Sequence, residues 1–580
     1  MTAPEVDARL AALDQGFRGD YLDFAGLSRQ LRAWAEAFPE IARLESLGTS
    51  PEGRELWLLT LGPEPERIRP AVWVDGNLHA SELAGSSVAL AIAEDVLRLH
   101  LDPDAGLRGL PAPLLESARE VLFHIMPRIA PDGAEAVLAS GRYVRSVPRD
   151  HRPPPEAPRW VVGDVDGDGL ALALRRADSA GDYVESAREP GLMLQRMPED
   201  DGPAFRVYPE GHIQGFDGHR VPAPGFLSDN SPDLNRNFPY RWTPEPAQEG
   251  AGAFPASEPE SRAIVEFATA HPNLFAWFNL HTFGGVYIRP PGHYPDADMD
   301  RGDLAVYRQL ADWAERLSGY PTVSGHEEFT YQPGKPLHGD LTDYAYHQRG
   351  CLALVCELWD LFAQLGIPRR TPFVDHYTHS GRDELEQLAA WDREHNAGRV
   401  LRPWRPVEHP QLGAVEVGGW DPRVGVSNPP YDRLPEICAA QSALWLRVAA
   451  LAPRLTIEEF RAEPVGDGLA RLEAVVANHG YLATCGLPSA ARLPWNEPPR
   501  AHLQLTGAAL IEAGDGGRTL DHLGGWGRGL HGGADSLFFR FSRDQEPRRR
   551  LEWTAQGTGE ARLRVGCRRT GWVEAGLELP

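Results

Sequence analysis

The sequence predicts an α/β domain followed by a β-rich C-terminal domain, and three observations carry that expectation. Runs such as Ala71-Val72-Trp73-Val74 and Leu352-Ala353-Leu354-Val355-Cys356 are apolar at consecutive positions rather than alternate ones. Such strands belong to a sheet covered on both faces. Stretches with helical spacing separate several of them, as in helix-covered sheets. Beyond Leu455 the chain changes to short strands with Gly and Pro between them, which predicts a β-sandwich. At 580 residues the chain exceeds one ordinary core, so two or more domains are expected.

The elements follow in order. Residues 1–19 form a short lead-in helix, and residues 20–453 form the α/β domain. Leu27, Leu31, Trp34 and Phe38 have helical spacing. After the turn Pro51-Glu52-Gly53-Arg54, the run 55–61 reads as a strand, and 71–75 as a second. The latter leads into His79 and Glu82, then an apolar helix over 83–99. Further strands are expected at 121–126, at 274–280 ending on His281, and at 352–356 ending on Glu357. The stretch from about 148 to 225 is rich in Pro, Gly and Asp, lacks clear periodicity, and reads as an insertion. A Pro-rich segment follows Leu401, then a helix over about 434–452. In the last domain, 454–580, strands are expected at 472–477, 502–505, 537–541 and 561–565.

Composition narrows the function classes. The net charge of −24 repels nucleic acid and anionic lipid, so neither is an expected partner. Arg548-Arg549-Arg550 reads as a solvated turn before a strand. No apolar run reaches membrane-spanning length, so no membrane association is expected. Met1–Phe17 lacks the basic flank and apolar stretch of a secretory signal, which places the protein in the cytoplasm as an expectation. The five cysteines include no CxxC pair, which predicts no disulfide framework and fits a reducing compartment. Cys351 and Cys356 sit in an apolar run and read as core residues.

Four separated fragments carry chemistry: His79-Ala80-Ser81-Glu82, Asn235-Arg236-Asn237, His281 and Glu357. Each alone is weak. Together, in this order, with the ligand-type residues at strand ends where open α/β sheets bind ligands, they form a pattern. A carboxylate such as Glu357 at the end of a buried strand is costly unless paired or used.

On these fragments the chain, over roughly residues 20–400, resembles the zinc metallocarboxypeptidase family of which carboxypeptidase A is the type. The resemblance implies a three-layer α/β/α domain with a mixed, mainly parallel sheet. It implies one zinc ion held by His79, Glu82 and His281, the family's own His₂Glu set. It implies Glu357 as general base for a zinc-activated water, and hydrolysis of the C-terminal peptide bond of peptides. Asn235 and Arg236 would bind the substrate's free C-terminal carboxylate, since a guanidinium fork donates two parallel hydrogen bonds to it. Arg145, downstream of Pro131-Asp132-Gly133, would polarise the scissile carbonyl; Arg142 and Arg149 stand close enough to compete for that role. Tyr331 would close over the substrate, with Tyr344 and Tyr346 as alternatives. Ser81 stands where digestive members carry an Arg, and Thr342, near the base of the side-chain pocket, selects neither basic nor apolar residues strongly.

Two other functions fit the same residues: a zinc amidase acting on a cell-wall peptide or N-acyl amino acid, and a catalytically inactive peptide-binding protein. Asp164-Val165-Asp166-Gly167-Asp168-Gly169 resembles the start of a calcium loop, but Arg175 stands at the twelfth position, where a closing Glu belongs. An acidic turn is the plainer reading. The glycine-rich run 524–529 lacks the Lys and setting of a phosphate loop.

Overall fold

The structure is a computed structural model that describes residues 3–102, 106–150, 152, 155–225, 227, 229–332, 334–511, 515–530 and 546–580. The expected strand at 537–541 lies outside the described residues.

The α/β unit is built on an eight-stranded mixed sheet. Its order is Ala42–Thr49, Glu55–Leu61, Leu122–Met126, Ala71–Gly76, Leu274–Thr282, Leu352–Leu358, Val286–Arg289, Thr322–Ser324. The four central strands pair in parallel and the flanking pairs are mostly antiparallel. Leu274–Thr282, Ala71–Gly76 and Leu122–Met126 are buried at every position. Both faces are covered. Trp277 and Phe278 are consecutive and so point to opposite faces. Trp277 lies 5.0 Å from Trp73, which packs on Phe267 of the helix Pro259–Ala270; Phe278 stacks at 4.5 Å on Trp445 of the helix Leu434–Ala449. The helix Ala84–Leu101 packs beside the latter. This is the three-layer α/β/α domain expected.

The insertion is more ordered than its composition suggests. Short strands at Ala173–Ala177, Tyr183–Glu185, Met193–Gln195 and Ala204–Pro209 join the hairpin Leu401–His409/Gly413–Trp420 in one six-stranded sheet. The Pro-rich segment after Leu401 is therefore a strand, joined through its hairpin partner to the insertion, with Glu416 opposite Arg175. Arg175, which stands where a calcium loop would need its closing Glu, donates to Glu416 and Glu185 and stacks on Phe205 and Trp404, and so ties strands of this sheet together. The acidic turn closes on itself: Asp164 accepts from the N–H groups of Gly167 and Gly169, and Arg405 pairs with Asp168 at 3.0 Å.

The C-terminal unit is β-rich, as expected, and entirely antiparallel among its described strands: Leu455–Gly466, Leu469–Asn478, Arg500–Leu510, Gly517–Thr519, Arg548–Cys567 and Gly571–Leu579. The twenty-residue strand Arg548–Cys567 pairs with three others and runs through the whole sheet. Leu472, Trp553, Leu563 and Val565 form a core separate from that of the α/β unit. Arg548-Arg549-Arg550 opens this strand and is not a turn; Arg550 pairs with Glu473 on the adjacent strand and Arg548 with Glu458 on the strand beyond it. Arg569, 1% exposed, docks the unit on the rest of the chain by donating to the carbonyls of Leu274 and Arg349. All five cysteines are buried and free. Among the described residues no helix is long and apolar enough to cross a membrane.

Candidate active site

The site forms at the carboxyl ends of the central strands. His281 and Glu357 are register partners on adjacent parallel strands, so the pleat turns both toward one side. Glu357 is the one residue of Leu352–Leu358 that is not fully buried, because its side chain opens on the cavity. Gly76 ends the neighbouring strand with a close approach that forbids a side chain: a Cβ there would stand 2.5 Å from the Gly85 carbonyl. Asn77 then takes a left-handed φ of 57° and donates to the carbonyls of His79 and Ala80, shaping the ligand loop. Gly133 does the same service from outside, since its Cβ would fall 2.5 Å from that of Ala80. The loop is zipped to the segment carrying Arg145: Ala80 N–H donates to Arg145 O, and the Ser81 hydroxyl to Val144 O.

Three donor atoms converge. His79 Nδ1 is 2.8 Å from Glu82 Oε1 and 3.0 Å from His281 Nδ1; Glu82 Oε2 is 2.9 Å from His281 Nδ1. All three residues are buried. Ligands of one tetrahedral zinc stand about 3–3.5 Å apart, so this His₂Glu set fits the ion with little movement. The far ring nitrogen of His281 is held as a metal-bound imidazole needs. His281 Nε2 contacts Asn279 Oδ1 at 2.5 Å, and the Asn279 amide donates in turn to Asp75. That relay assigns the proton to Nε2 and leaves Nδ1 free to ligate. His79 Nε2 faces Asp233 Oδ1 at 3.3 Å, close but not aligned for a hydrogen bond. Asp75 also accepts from Trp73 and Trp277, and burial pushes its carboxyl up to about 7 against those donors.

The other predicted residues line the same cavity of about 110 Å³: Arg145, Asn235, Arg236, Tyr331 and Glu357, together with His79 and His281. Burial, and then the negative charge of Glu82, push the Glu357 carboxyl well above its ordinary value, with Arg145 opposing. Arg145 is pinned to Asp233 at 3.0 Å and lies 3.7 Å from Glu82. Its competitors turn elsewhere: Arg142 donates to Asp229 O, and Arg149 pairs with Glu258 and Glu260. Asn235 accepts from Leu341 N–H, and Arg236 donates to Asn235 O at 2.7 Å; no carboxylate among the described residues ion-pairs with Arg236. Tyr331 is half exposed at the cavity wall, whereas Tyr344 stacks on Phe238 and Tyr346 donates to Asp303, both packed away.

Sequence reasoning overlooked four residues. Asp75 and Asn279 are polar residues inside otherwise apolar strands, the signal that picked out Glu357. Asp233 stands two positions before Asn235 and contacts both His79 and Arg145. Asp340 lines the cavity together with Thr342, and burial and neighbouring Asp343 push it up to about 7.

Comparison with known proteins agrees with this geometry. Residues 27–159 and 220–365 match the family described as zinc carboxypeptidase, and residues 454–578 match a domain of unknown function (DUF8731). Carboxypeptidase D of Mus musculus is 32% identical over 354 residues, 57% of this chain and 18% of its own length. Carboxypeptidase Z of Homo sapiens is 26% identical over 184 residues, 31% of this chain and 25% of its own length. The matches thus span a third or less of these relatives. A solved structure of bovine thrombin-activatable fibrinolysis inhibitor in complex with tick carboxypeptidase inhibitor is 13% identical with a TM-score of 0.41, covering 75% of this chain and 97% of that one. The matched family segments skip most of the insertion and contain His79, Glu82, Arg145, Asn235, Arg236, His281, Tyr331 and Glu357. The α/β part of this chain belongs to the zinc carboxypeptidase family.

Proposed function

We propose that the protein is a zinc-dependent carboxypeptidase that hydrolyses the C-terminal peptide bond of peptides. The observation that supports this most is the convergence of His79, Glu82 and His281, each pair in contact at 2.8–3.0 Å through a ring nitrogen or a carboxylate oxygen, beside the cavity that Glu357, Arg145 and Arg236 line. His79, Glu82 and His281 would hold the ion. When bound, zinc supplies a Lewis acid that brings the pKa of water near 7.

The chain's own residues do the rest. Arg236 and the Asn235 amide receive the substrate's terminal carboxylate, which fixes where the chain must end. Arg145 donates to the scissile carbonyl oxygen as negative charge grows there, held in line by Asp233. Glu357 takes the proton from water as the hydroxyl adds to the carbonyl carbon. It then passes that proton to the leaving amine as the C–N bond breaks. Tyr331 covers the bound residue. Asp340, a carboxyl among the cavity-lining residues, supports a cationic C-terminal side chain as the preferred occupant.

The test is cleavage of a mixed peptide library, read by mass spectrometry, with free and amidated C-termini and with and without a chelator. Single-residue removal from free termini, abolished by chelation, is the expected result. Equal cleavage of amides and free acids would transfer the reading to the amidase class, and binding without cleavage to a non-catalytic peptide binder.

A further inference from the structure

A second cluster adjoins the cavity through Asp343, one of its lining residues. His293, Asp343 and His347 bring three ligand-type atoms within 4.8 Å of one another. Asp343 and His347 are four residues apart on the helical run 341–348 and so share a side of it. His293 comes from the loop after the strand Val286–Arg289. Asp343 Oδ2 is 3.1 Å from His293 Nδ1, and Asp343 Oδ1 is 3.9 Å from His347 Nε2. The second distance is too long for a hydrogen bond, and His347 Nε2 is buried with no hydrogen-bond partner. Atoms that each stand about 2.1 Å from one ion are about 3–4 Å from each other. The gap is the size of an ion.

The surroundings orient the three groups without closing that gap. Tyr240 stacks on the His347 ring at 4.3 Å, and its hydroxyl lies 3.3 Å from His293 Nε2, on the far side from Asp343. Gly292 N–H donates to Asp343 Oδ1 at 3.0 Å. His293 is thus anchored through its outer ring nitrogen, as the imidazoles of built metal sites are. The plan also parallels the first site: two ligands close together on one segment and a third from a distant part of the chain.

We propose that His293, Asp343 and His347 hold a second divalent cation of the zinc class. Two imidazoles and one carboxylate suit zinc and not calcium or magnesium, which take oxygen ligands. Asp343 lies on the cavity wall and its backbone N–H donates to Asp340 Oδ1 at 2.9 Å, so the ion would fix the floor against which the substrate side chain packs.

The experiment is zinc content of the full-length chain by elemental mass spectrometry after dialysis against zinc and a weak chelator. The wild type should hold about two equivalents. His293→Ala and His347→Ala should each lose about one while keeping the other. In a His281→Ala background, added zinc should still raise Tm, and adding His293→Ala should abolish that rise. A wild type with one equivalent, or variants of both histidines with unchanged zinc, would overturn the proposal. If His347→Ala does not fold, His293→Ala, in a loop, decides the matter alone.

Discussion

The strand Leu274–Thr282 and the strand Arg548–Cys567 are built on opposite plans. All nine residues of the first are buried, while the second alternates buried and exposed positions for most of its length. In the first, a polar side chain has no water to face and persists only if partners satisfy it. Asn279 and His281 are therefore informative. In the second, Arg562 and Arg564 point to solvent and say nothing about chemistry. The difference teaches where to look: polar residues carry functional signal in proportion to how completely their element is buried.

The sharpest way to break this comparison is to remove a polar residue from the buried strand. His281→Ala should lose one equivalent of zinc relative to the wild type and essentially all cleavage; metal retained in full would take His281 out of the site. Next in size is Arg236→Ala. It removes a charge-assisted interaction of about 1.5–3 kcal/mol, so kcat/KM for free-acid peptides should fall roughly 10- to 100-fold. Amidated peptides, already poor, should hardly change, and an equal loss on both would show that Arg236 does not read the carboxylate.

A smaller effect sharpens the electrostatic side. A carboxylate accepts a proton only when ionised, so the proposed base role of Glu357 predicts that activity falls as pH drops through its raised pKa. Arg145 opposes that rise. Arg145→Gln should therefore move the acid limb of the kcat/KM profile to higher pH, in addition to lowering the plateau. A limb that stays put or moves down would mean that Arg145 does not act on Glu357. At the bottom of the scale, Arg562→Gln on the exposed face of the C-terminal strand should change stability by no more than about 0.5 kcal/mol in urea unfolding. A large loss there would undo the contrast between the two strands.

The same contrast governs what was legible in the sequence. The central strands and the residues at their ends could be read because a short, unbroken apolar run bounded by turn residues fits a strand inside a covered sheet and little else. The edge strand Ala42–Thr49 could not, since its mixed, largely exposed residues look like loop. The insertion's sheet escaped because its strands are three to six residues long and one is completed by a hairpin some 200 residues later, a pairing that no local pattern announces. Asp75 and Asn279 were within reach, because they break apolar strands as Glu357 does. Asp233's contacts with His79 and Arg145, and the meeting of His293 with Asp343 and His347, depend on segments far apart in sequence and needed the fold.

The central claim is that three residues at the strand ends hold the metal and a fourth moves the proton. Glu357→Gln tests it most directly, because the amide keeps the shape of the side chain and loses its basicity. Zinc content and the steady-state rate on a free-acid peptide are measured together. The account predicts wild-type zinc and a turnover number lower by about 10²–10⁴. Lost zinc would make Glu357 a ligand, and an unchanged turnover number would contradict its role as base.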